Sequence, residues 1–241
     1  MLSNVRFVLV NPSHPGNIGA TARAMKNMCL QELYIVAPKH YPSAEATARA
    51  SGADDILASA RVCDSLQEAL EGCSLVMGVS ARIRSLRWPQ ITPRECADKV
   101  IAEHQQAAVA LVFGREHAGL TNEELALCNY LVHIPSNQVY SSLNLAAAAQ
   151  VIAYEIYANY PKQQPTEDNA STERLATSDE IEHYFAHLEQ ILIDIDFLNP
   201  QRPRRLMQRL RRMYNRIHDQ NEINILRGIL TAIKKKIQSS V

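Results

Sequence analysis

The sequence predicts an α/β protein in which a parallel sheet domain is followed by a small all-helical C-terminal domain. Over the first 160 residues, short apolar runs rich in β-branched residues alternate with helical patterns, which is typical of a parallel sheet covered on both faces. A polar, proline-containing linker at 161–177 ends this alternation, and only helical patterns follow it. We therefore expect a sheet domain at 1–160, the linker, and a helical domain at 178–241.

Five segments are predicted to be strands because each is short, apolar and bounded by residues that interrupt regular structure. Asn11 directly follows the first strand, Pro38 the second and Gly114 the fourth. The strands are expected at 5–10, 33–37, 75–79, 108–113 and 131–134.

Helices are predicted between and after these strands from alanine-rich or amphipathic patterns. Pro93 suits the first turn of one of them. Thr121 can cap another, because Glu124 three residues later completes a capping box. Apart from the helix that Thr121 caps, the helices are expected at 18–29, 65–70, 93–104, 143–157, 178–195, 204–217 and 221–237.

The composition argues against several classes of protein. Of the 241 residues, 46% are hydrophobic and 21% are charged, which suits a chain that buries a full core. No apolar run approaches the roughly 20 residues that span a bilayer, and no signal peptide is recognised, so we expect a cytoplasmic protein without a membrane partner. The cysteines form no C-x-x-C pair and the histidines fit no metal-binding motif, so no metal site is expected.

The charge is balanced overall but unevenly distributed. Residues 166–199 carry one arginine and nine acidic residues, whereas residues 200–241 carry eleven basic and two acidic residues, a net charge of +9. Arginine binds phosphate through a two-pronged fork, so this segment is suited to a ligand that carries phosphates. The alternatives are a solvated helix face and ion pairs with the acidic segment. The arginines concerned, which the resemblance described below makes candidate RNA-binding residues, are Arg202, Arg204, Arg205, Arg209, Arg211, Arg212 and Arg216.

Three loops, at 11–20, 113–120 and 134–144, are expected to carry the chemistry. Ligands of such sheets bind where loops leave the carboxyl ends of parallel strands. The first loop leads into a helix N-terminus, which suits an anionic group. It is not a dinucleotide-binding loop, because it lacks the G-x-G-x-x-G pattern.

Each loop also has a purely structural interpretation. The first could be a tight turn beside a solvated Arg23, and in the second Arg115 and Glu116 could pair with each other or with a neighbour. In the third, Ser141 or Ser142 could cap the following helix. Each loop alone is weak evidence for a functional site.

Taken together, the three loops resemble the motifs of the SPOUT superfamily of knotted methyltransferases, in its 2′-O-ribose branch. The first motif of that branch is N-x-G-N-x-G followed by an arginine. The stretch Pro-Ser-His-Pro-Gly-Asn departs from it here, while Asn17 and Arg23 remain in place. The second motif, F-G-x-E-x-x-G-L, and the third, I-P…S-L-N-x-x-x-A, are matched by Phe113, Gly114, Glu116, Gly119, Leu120, Ile134, Pro135, Ser142, Leu143, Asn144 and Ala148.

The resemblance implies a SPOUT-type parallel sheet domain with a C-terminal trefoil knot, a homodimer, and S-adenosylmethionine as cofactor. Backbone groups of the knot loops would bind that cofactor, and Gly114 is expected to leave room for it. The implied cofactor-binding residues are Val79, Ser80, Ala81, Gly114, Ile134, Ser141, Ser142 and Leu143. The implied catalytic residues are Arg23, Asn17, Glu116, Ser142 and Asn144.

The segment Ser80-Ala81-Arg82, the Trp88-Pro89 pair and the helical tail are similar to tRNA methyltransferases of this superfamily. That similarity implies methylation of the ribose 2′-oxygen of cytidine or uridine at nucleotide 32 of tRNA. Arg23 would either orient the target phosphate and stabilise charge or accept the proton, and its high pKa favours the first role. Two other functions stay open, a ribosomal RNA 2′-O-methyltransferase of the same superfamily and a tRNA-binding protein without catalysis. No DNA partner is expected.

Overall fold

A computed structural model describes residues 2, 4–81, 88–160, 176–195, 197–201, 206–214 and 220–238. Seven parallel strands form one sheet in the order β3-β2-β1-β6-β4-β7-β5. The strands are β1 (Val5–Val10), β2 (Glu32–Val36), β3 (Arg61–Cys63), β4 (Cys73–Val79), β5 (Gln90–Ile91), β6 (Ala108–Phe113) and β7 (Tyr130–Val132). The α/β class and the parallel sheet predicted from the sequence are thereby confirmed.

All five expected strands are present, and the structure adds β3 and β5. These two strands lie at the edges of the sheet and have only three and two residues. Segments this short contain no apolar periodicity that a sequence could reveal. The strand β7 ends at Val132, so Ile134 belongs to the loop that follows it rather than to the strand.

The described residues also form ten helices. Their bounds are α1 (Pro15–Asn27), α2 (Ala44–Ala50), α3 (Asp54–Ser59), α4 (Leu66–Leu70), α5 (Pro93–Glu103), α6 (Asn122–Leu125), α7 (Leu145–Asn159), α8 (Ser178–Asp194), α9 (Leu206–Tyr214) and α10 (Gln220–Gln238). The short helices α2 and α3 were not expected. The expected linker falls largely outside the described residues, as do residues 204, 205 and 215–217 of an expected tail helix.

The sheet has an apolar cluster on each face because successive strand side chains point in opposite directions. In β1, Val5, Phe7 and Leu9 belong to the cluster beneath α1, α2, α5 and α7. Val8 and Val10 point the other way, toward α4 and α6. This double burial explains why β1 is apolar at every position except Arg6 rather than alternating.

Individual residues explain where helices α1 and α6 begin and how closely α1 packs on its neighbour. Helix α1 begins at Pro15, three residues before the expected start, with proline in its first turn. A Cβ on Gly19 would lie 2.0 Å from the carbonyl oxygen of Ala46, so this glycine lets α1 pack directly on α2. Thr121 and Glu124 form the expected capping box at the start of α6.

Helix α8 contacts both the sheet domain and the other tail helices. Asp179, in its first turn, accepts a hydrogen bond of 3.0 Å from the backbone N–H of Gly72, the residue before β4. Tyr184 and Phe185 on α8 pack with Ile223 and Leu230 of α10 in a third apolar cluster. No helix within the described part of the chain is long and apolar enough to cross a membrane.

Candidate active site

A cavity lies at the carboxyl ends of β4, β6 and β7. It is partly open to solvent, and its empty space of about 820 Å³ includes some of that open solvent. Its lining includes every residue expected to bind the cofactor. They are Val79, Ser80, Ala81, Gly114, Ile134, Ser141, Ser142 and Leu143.

The walls of this cavity suit a ligand with a flat apolar part and several polar edges. Ile134, Leu143 and Ala148 provide apolar surface, while the loops after β4 and β6 present backbone groups. The backbone N–H of Ser80 donates to the carbonyl of Val132, which ties the end of β4 to the end of β7. The cavity is therefore formed by loops that are fastened to one another.

Gly114 lines the cavity, and the structure gives its small size a second reason that the sequence did not show. A Cβ on Gly114 would lie 2.2 Å from the backbone carbon of Gly119 and 2.4 Å from the nitrogen of Leu120. The missing side chain therefore makes room for the returning loop, which is closed by two backbone hydrogen bonds between Arg115 and Gly119. The expectation that this glycine also leaves space for the cofactor stays a prediction.

The carboxylate of Glu116 joins the second loop to the first. It accepts hydrogen bonds from the backbone N–H and the hydroxyl of Ser13, from the N–H of His14 and from the side-chain amide of Asn17, at 2.9 to 3.2 Å. Partial burial alone would raise the pKa of Glu116, but these hydrogen bonds outweigh it and lower the pKa to about 2. The group is therefore a carboxylate at any physiological pH.

Asn17 and Asn144 extend this network to the third loop. The amide nitrogen of Asn144 donates to the side-chain oxygen of Asn17 at 2.9 Å. The side-chain oxygen of Asn144 accepts from the N–H groups of Ala146 and Ala147 and so caps α7. Asn144, rather than Ser141 or Ser142, is thus the capping residue, and its amide is held in one orientation.

Arg23 and Ser142 complete the set of expected catalytic residues. Ser142 lines the cavity, and Arg23 is an exposed residue of α1, the helix that also carries Asn17. Within the described part of the chain, Arg23 forms no salt bridge. Arg115, in contrast, pairs with Glu124 at 2.9 Å and with the side chain of Asn11, so it does not pair with Glu116.

Several residues at this site were not identified from the sequence. Ser13 and His14 hold Glu116 mainly through backbone N–H groups, which carry no residue-specific signal. His117 lines the cavity, and its ring centroid lies 6.3 Å from that of His14. No group of three or more His, Cys, Asp or Glu residues with metal-site geometry occurs among the residues that the structure describes.

The expected RNA-binding arginines fall into three groups. Arg209 is exposed on α9. Arg211 instead forms a two-pronged ion pair with Glu182 of α8, and its guanidinium lies 4.5 Å from the ring centroid of Phe185, so it braces the tail internally. Outside the residues whose side chains are described are Arg202, Arg204, Arg205, Arg212 and Arg216.

Fold and site together define an α/β protein with a ligand cavity at the carboxyl edge of a parallel sheet. A family model described as the SpoU rRNA Methylase family matches residues 4–154. A second, described as the C-terminal domain of the tRNA methyltransferase TrmJ, matches residues 179–240. The chain therefore belongs to the SpoU methylase family and, within it, to the TrmJ group, which confirms the resemblance seen in the three loops and the tail.

Individual relatives agree with this assignment. The chain is 56% identical to the tRNA (cytidine/uridine/adenosine-2′-O-)-methyltransferase TrmJ of Pseudomonas aeruginosa, over 98% of this chain and 95% of that protein. The crystal structure of TrmJ from Z. mobilis ZM4 has a TM-score of 0.83 and 33% identity, covering 95% of this chain and 98% of that one. The SpoU methyltransferase AviRb from Streptomyces viridochromogenes in complex with AdoMet has a TM-score of 0.53 and 22% identity over 66% and 61% of the two chains, which shows the fold alone.

The ionised state of Glu116 makes a pH-dependent contribution to stability that can be measured. Its folded pKa of about 2 lies below the ordinary 4.5, so its contribution is complete above about pH 5 and is lost as the pH falls toward 2. We expect Glu116→Gln to lower the free energy of unfolding by about 1–2 kcal/mol at pH 7, as for partly exposed hydrogen bonds to a charged group. Urea unfolding of both proteins should show this difference shrinking below pH 4.5.

The matched control is Glu189→Gln, which removes an exposed carboxylate from α8 far along the chain from the loops. Its effect on unfolding should be small and nearly the same at pH 7 and pH 3. Equal unfolding curves for the wild type and Glu116→Gln at pH 7 would contradict the role of this carboxylate in holding the loops.

Proposed function

We propose that this chain transfers a methyl group from S-adenosylmethionine to a ribose 2′-oxygen of tRNA. The observation that carries the proposal is the cavity at the ends of β4, β6 and β7, bordered by the Glu116–Asn17–Asn144 network. The match of residues 179–240 to the TrmJ C-terminal domain favours tRNA over ribosomal RNA as substrate. The target is a pyrimidine nucleotide at position 32 of the anticodon loop, and the enzyme acts in the cytoplasm.

The cavity suits S-adenosylmethionine by the chemistry of its lining. Ile134, Leu143 and Ala148 would cover the flat adenine, and backbone groups of the loops at Ser80 and Gly114 would meet its polar edge. When bound, the cofactor supplies a methyl group that its sulfonium has already activated. The chain itself has to bind and orient the ribose and to stabilise charge while the 2′-hydroxyl loses its proton.

Arg23 is proposed to orient the phosphate of the target nucleotide and to stabilise the charge on the attacking oxygen. A guanidinium stays protonated in proteins, so it donates hydrogen bonds and does not serve readily as a base. Arg23 is exposed on α1 and forms no salt bridge in the described part of the chain. Its guanidinium is therefore available to the phosphate of a substrate. Asn17, Ser142 and Asn144 would position the ribose beside it.

Removing the Arg23 guanidinium tests that role. Arg23→Ala is expected to lower single-turnover methyl transfer by about 100-fold or more, the usual cost of a lost charge-stabilising donor, while calorimetry shows unchanged cofactor affinity. Lys26→Ala is the control, because Lys26 lies one turn further on α1 and pairs with Asp55 instead. Near-normal turnover of Arg23→Ala would remove this residue from the reaction.

A steric block tests the location of the cofactor. Ala148 lies in the first turns of α7 and lines the cavity, whereas its neighbour Ala147 is exposed and lies outside the lining. Ala148→Phe is expected to raise the Kd for S-adenosylmethionine by more than about tenfold, equivalent to roughly 1.4 kcal/mol. Ala147→Phe introduces the same side chain into the same helix and should bind normally. Normal binding by Ala148→Phe would place the cofactor elsewhere.

We further propose the finer features of assembly that the family resemblance implies. The loops after β4, β6 and β7 would form a trefoil knot, and two copies would form a homodimer. Helices α8 to α10 would form the tRNA-binding domain, with residues 1–160 as the methyltransferase domain. The mutual fastening of the β4 and β7 ends through Ser80 and Val132 supports a compact arrangement of these loops.

Substitution of Arg209 and of Arg211 distinguishes RNA binding from an internal structural role in the tail. Arg209→Gln should reduce the slope of log K against log salt for tRNA by about 0.7–0.9, the value for one phosphate contact, with unchanged thermal unfolding. Arg211→Gln should instead destabilise the protein by about 1–2 kcal/mol, because it leaves Glu182 without its partner. An unchanged salt slope for Arg209→Gln would move the RNA surface away from this face of α9.

A further inference from the structure

Two apolar side chains project into solvent from the loop between β7 and α7. Val139 is 95% exposed and Tyr140 is 82% exposed, the highest values among the large hydrophobic residues of the described chain. The residues that follow them, Ser141 to Leu143, line the cofactor cavity. Tyr140 is not part of that lining but directly precedes it in the chain.

The loop that carries Tyr140 is held in shape by hydrogen bonds. The Ser136 hydroxyl donates to the carbonyl of Ser141 at 2.9 Å and closes the loop at its base. Within it, the N–H of Val139 donates to the side chain of Asn137 at 2.8 Å, and the N–H of Tyr140 donates to the Asn137 carbonyl at 3.2 Å. The aromatic ring is thus displayed from a fixed backbone.

The ring of Tyr140 is not buried within this chain, so packing does not explain an aromatic residue here. A nucleotide bound at the neighbouring site would explain it. A nucleotide whose ribose lies over the cavity would place its base next to the ribose, near the loop that carries both Tyr140 and the lining residues Ser141 to Leu143. We infer that Tyr140 stacks on the base of the target nucleotide and so positions its ribose for methyl transfer. The inference rests on the proposed function and adds a positioning residue to it.

Stacking is the contact that fits an exposed tyrosine at this place. Every base has a π-face, so a stacking partner tolerates more than one base, whereas hydrogen bonds to base edges do not. The relative from Pseudomonas aeruginosa is named for cytidine, uridine and adenosine, which share a π-face but present different edges. Single-stranded loops of RNA are commonly bound in this way, through bases that turn outward onto aromatic side chains.

Steady-state kinetics on a tRNA transcript test the inference with three variants. Tyr140→Ala should lower kcat/KM for tRNA by about 5- to 150-fold, the range found for removal of one stacking side chain. Tyr140→Phe keeps the ring and should stay within about twofold of the wild type. Val139→Ala, at the adjacent and more exposed position, is the matched control and should be nearly unchanged. Calorimetry should show the same cofactor affinity for all.

A spectroscopic readout distinguishes stacking from a structural role of the loop. The chain has one tryptophan, Trp88, which is 4% exposed. Tyr140→Trp adds an exposed indole, whose fluorescence should be quenched by substrate tRNA but not by a duplex RNA without a loop. Quenching that depends on protein concentration alone would mean that a second copy covers the ring, and the inference would be wrong.

The two proposals fail in different ways. Kinetics of Tyr140→Ala equal to those of an active wild type, or no quenching of Tyr140→Trp by tRNA, would overturn the stacking inference and leave the proposed function standing. A wild-type protein that transfers no methyl group to tRNA would overturn the proposed function itself.

Discussion

The carboxylate of Glu116 connects the parts of this structure on which the site depends. It follows β6, yet its partners are the N–H groups of Ser13 and His14, at the point where the first loop enters α1. A helix N-terminus carries unpaired N–H groups and partial positive charge, and it favours an anion. The sequence of the first loop therefore does describe an anion site, but the anion is part of the protein and not a ligand.

This internal anion determines the orientation of two amides. Asn17 donates to Glu116 and accepts from Asn144, so neither group can rotate without breaking a hydrogen bond. Asn144 also caps α7, so the same side chain stabilises a helix and positions the site. A site built in this way is organised before substrate arrives, which reduces the cost of ordering it during catalysis.

The sequence predicts those features that depend on local pattern and misses those that depend on tertiary distance. The largely apolar run of β1 and the fully apolar run of β6 were sufficient to locate two central strands. The reason for Gly114 was not visible, because the clash that its missing Cβ avoids is with Gly119 in a returning loop. The residues expected to bind the cofactor came from a family resemblance, and no physical property of their types distinguishes them from ordinary loop residues.

Prediction of the available charge of the tail from its sequence meets the same limit. A count of arginines cannot tell that Arg211 is neutralised by Glu182, so the positive charge available to RNA is smaller than the sequence suggests. The tail is also anchored at the opposite end of β4 from the cavity, since Asp179 binds Gly72 just before the strand while the cavity begins at Val79.

Seven residues of strand, at about 3.3 Å each, separate these ends by roughly 20 Å. The first turn of α8 therefore lies at the end of β4 that is remote from the proposed cofactor site. In the function proposed above, the tail would add affinity for the body of the tRNA. The residues at the carboxyl ends of the strands would align the reacting ribose.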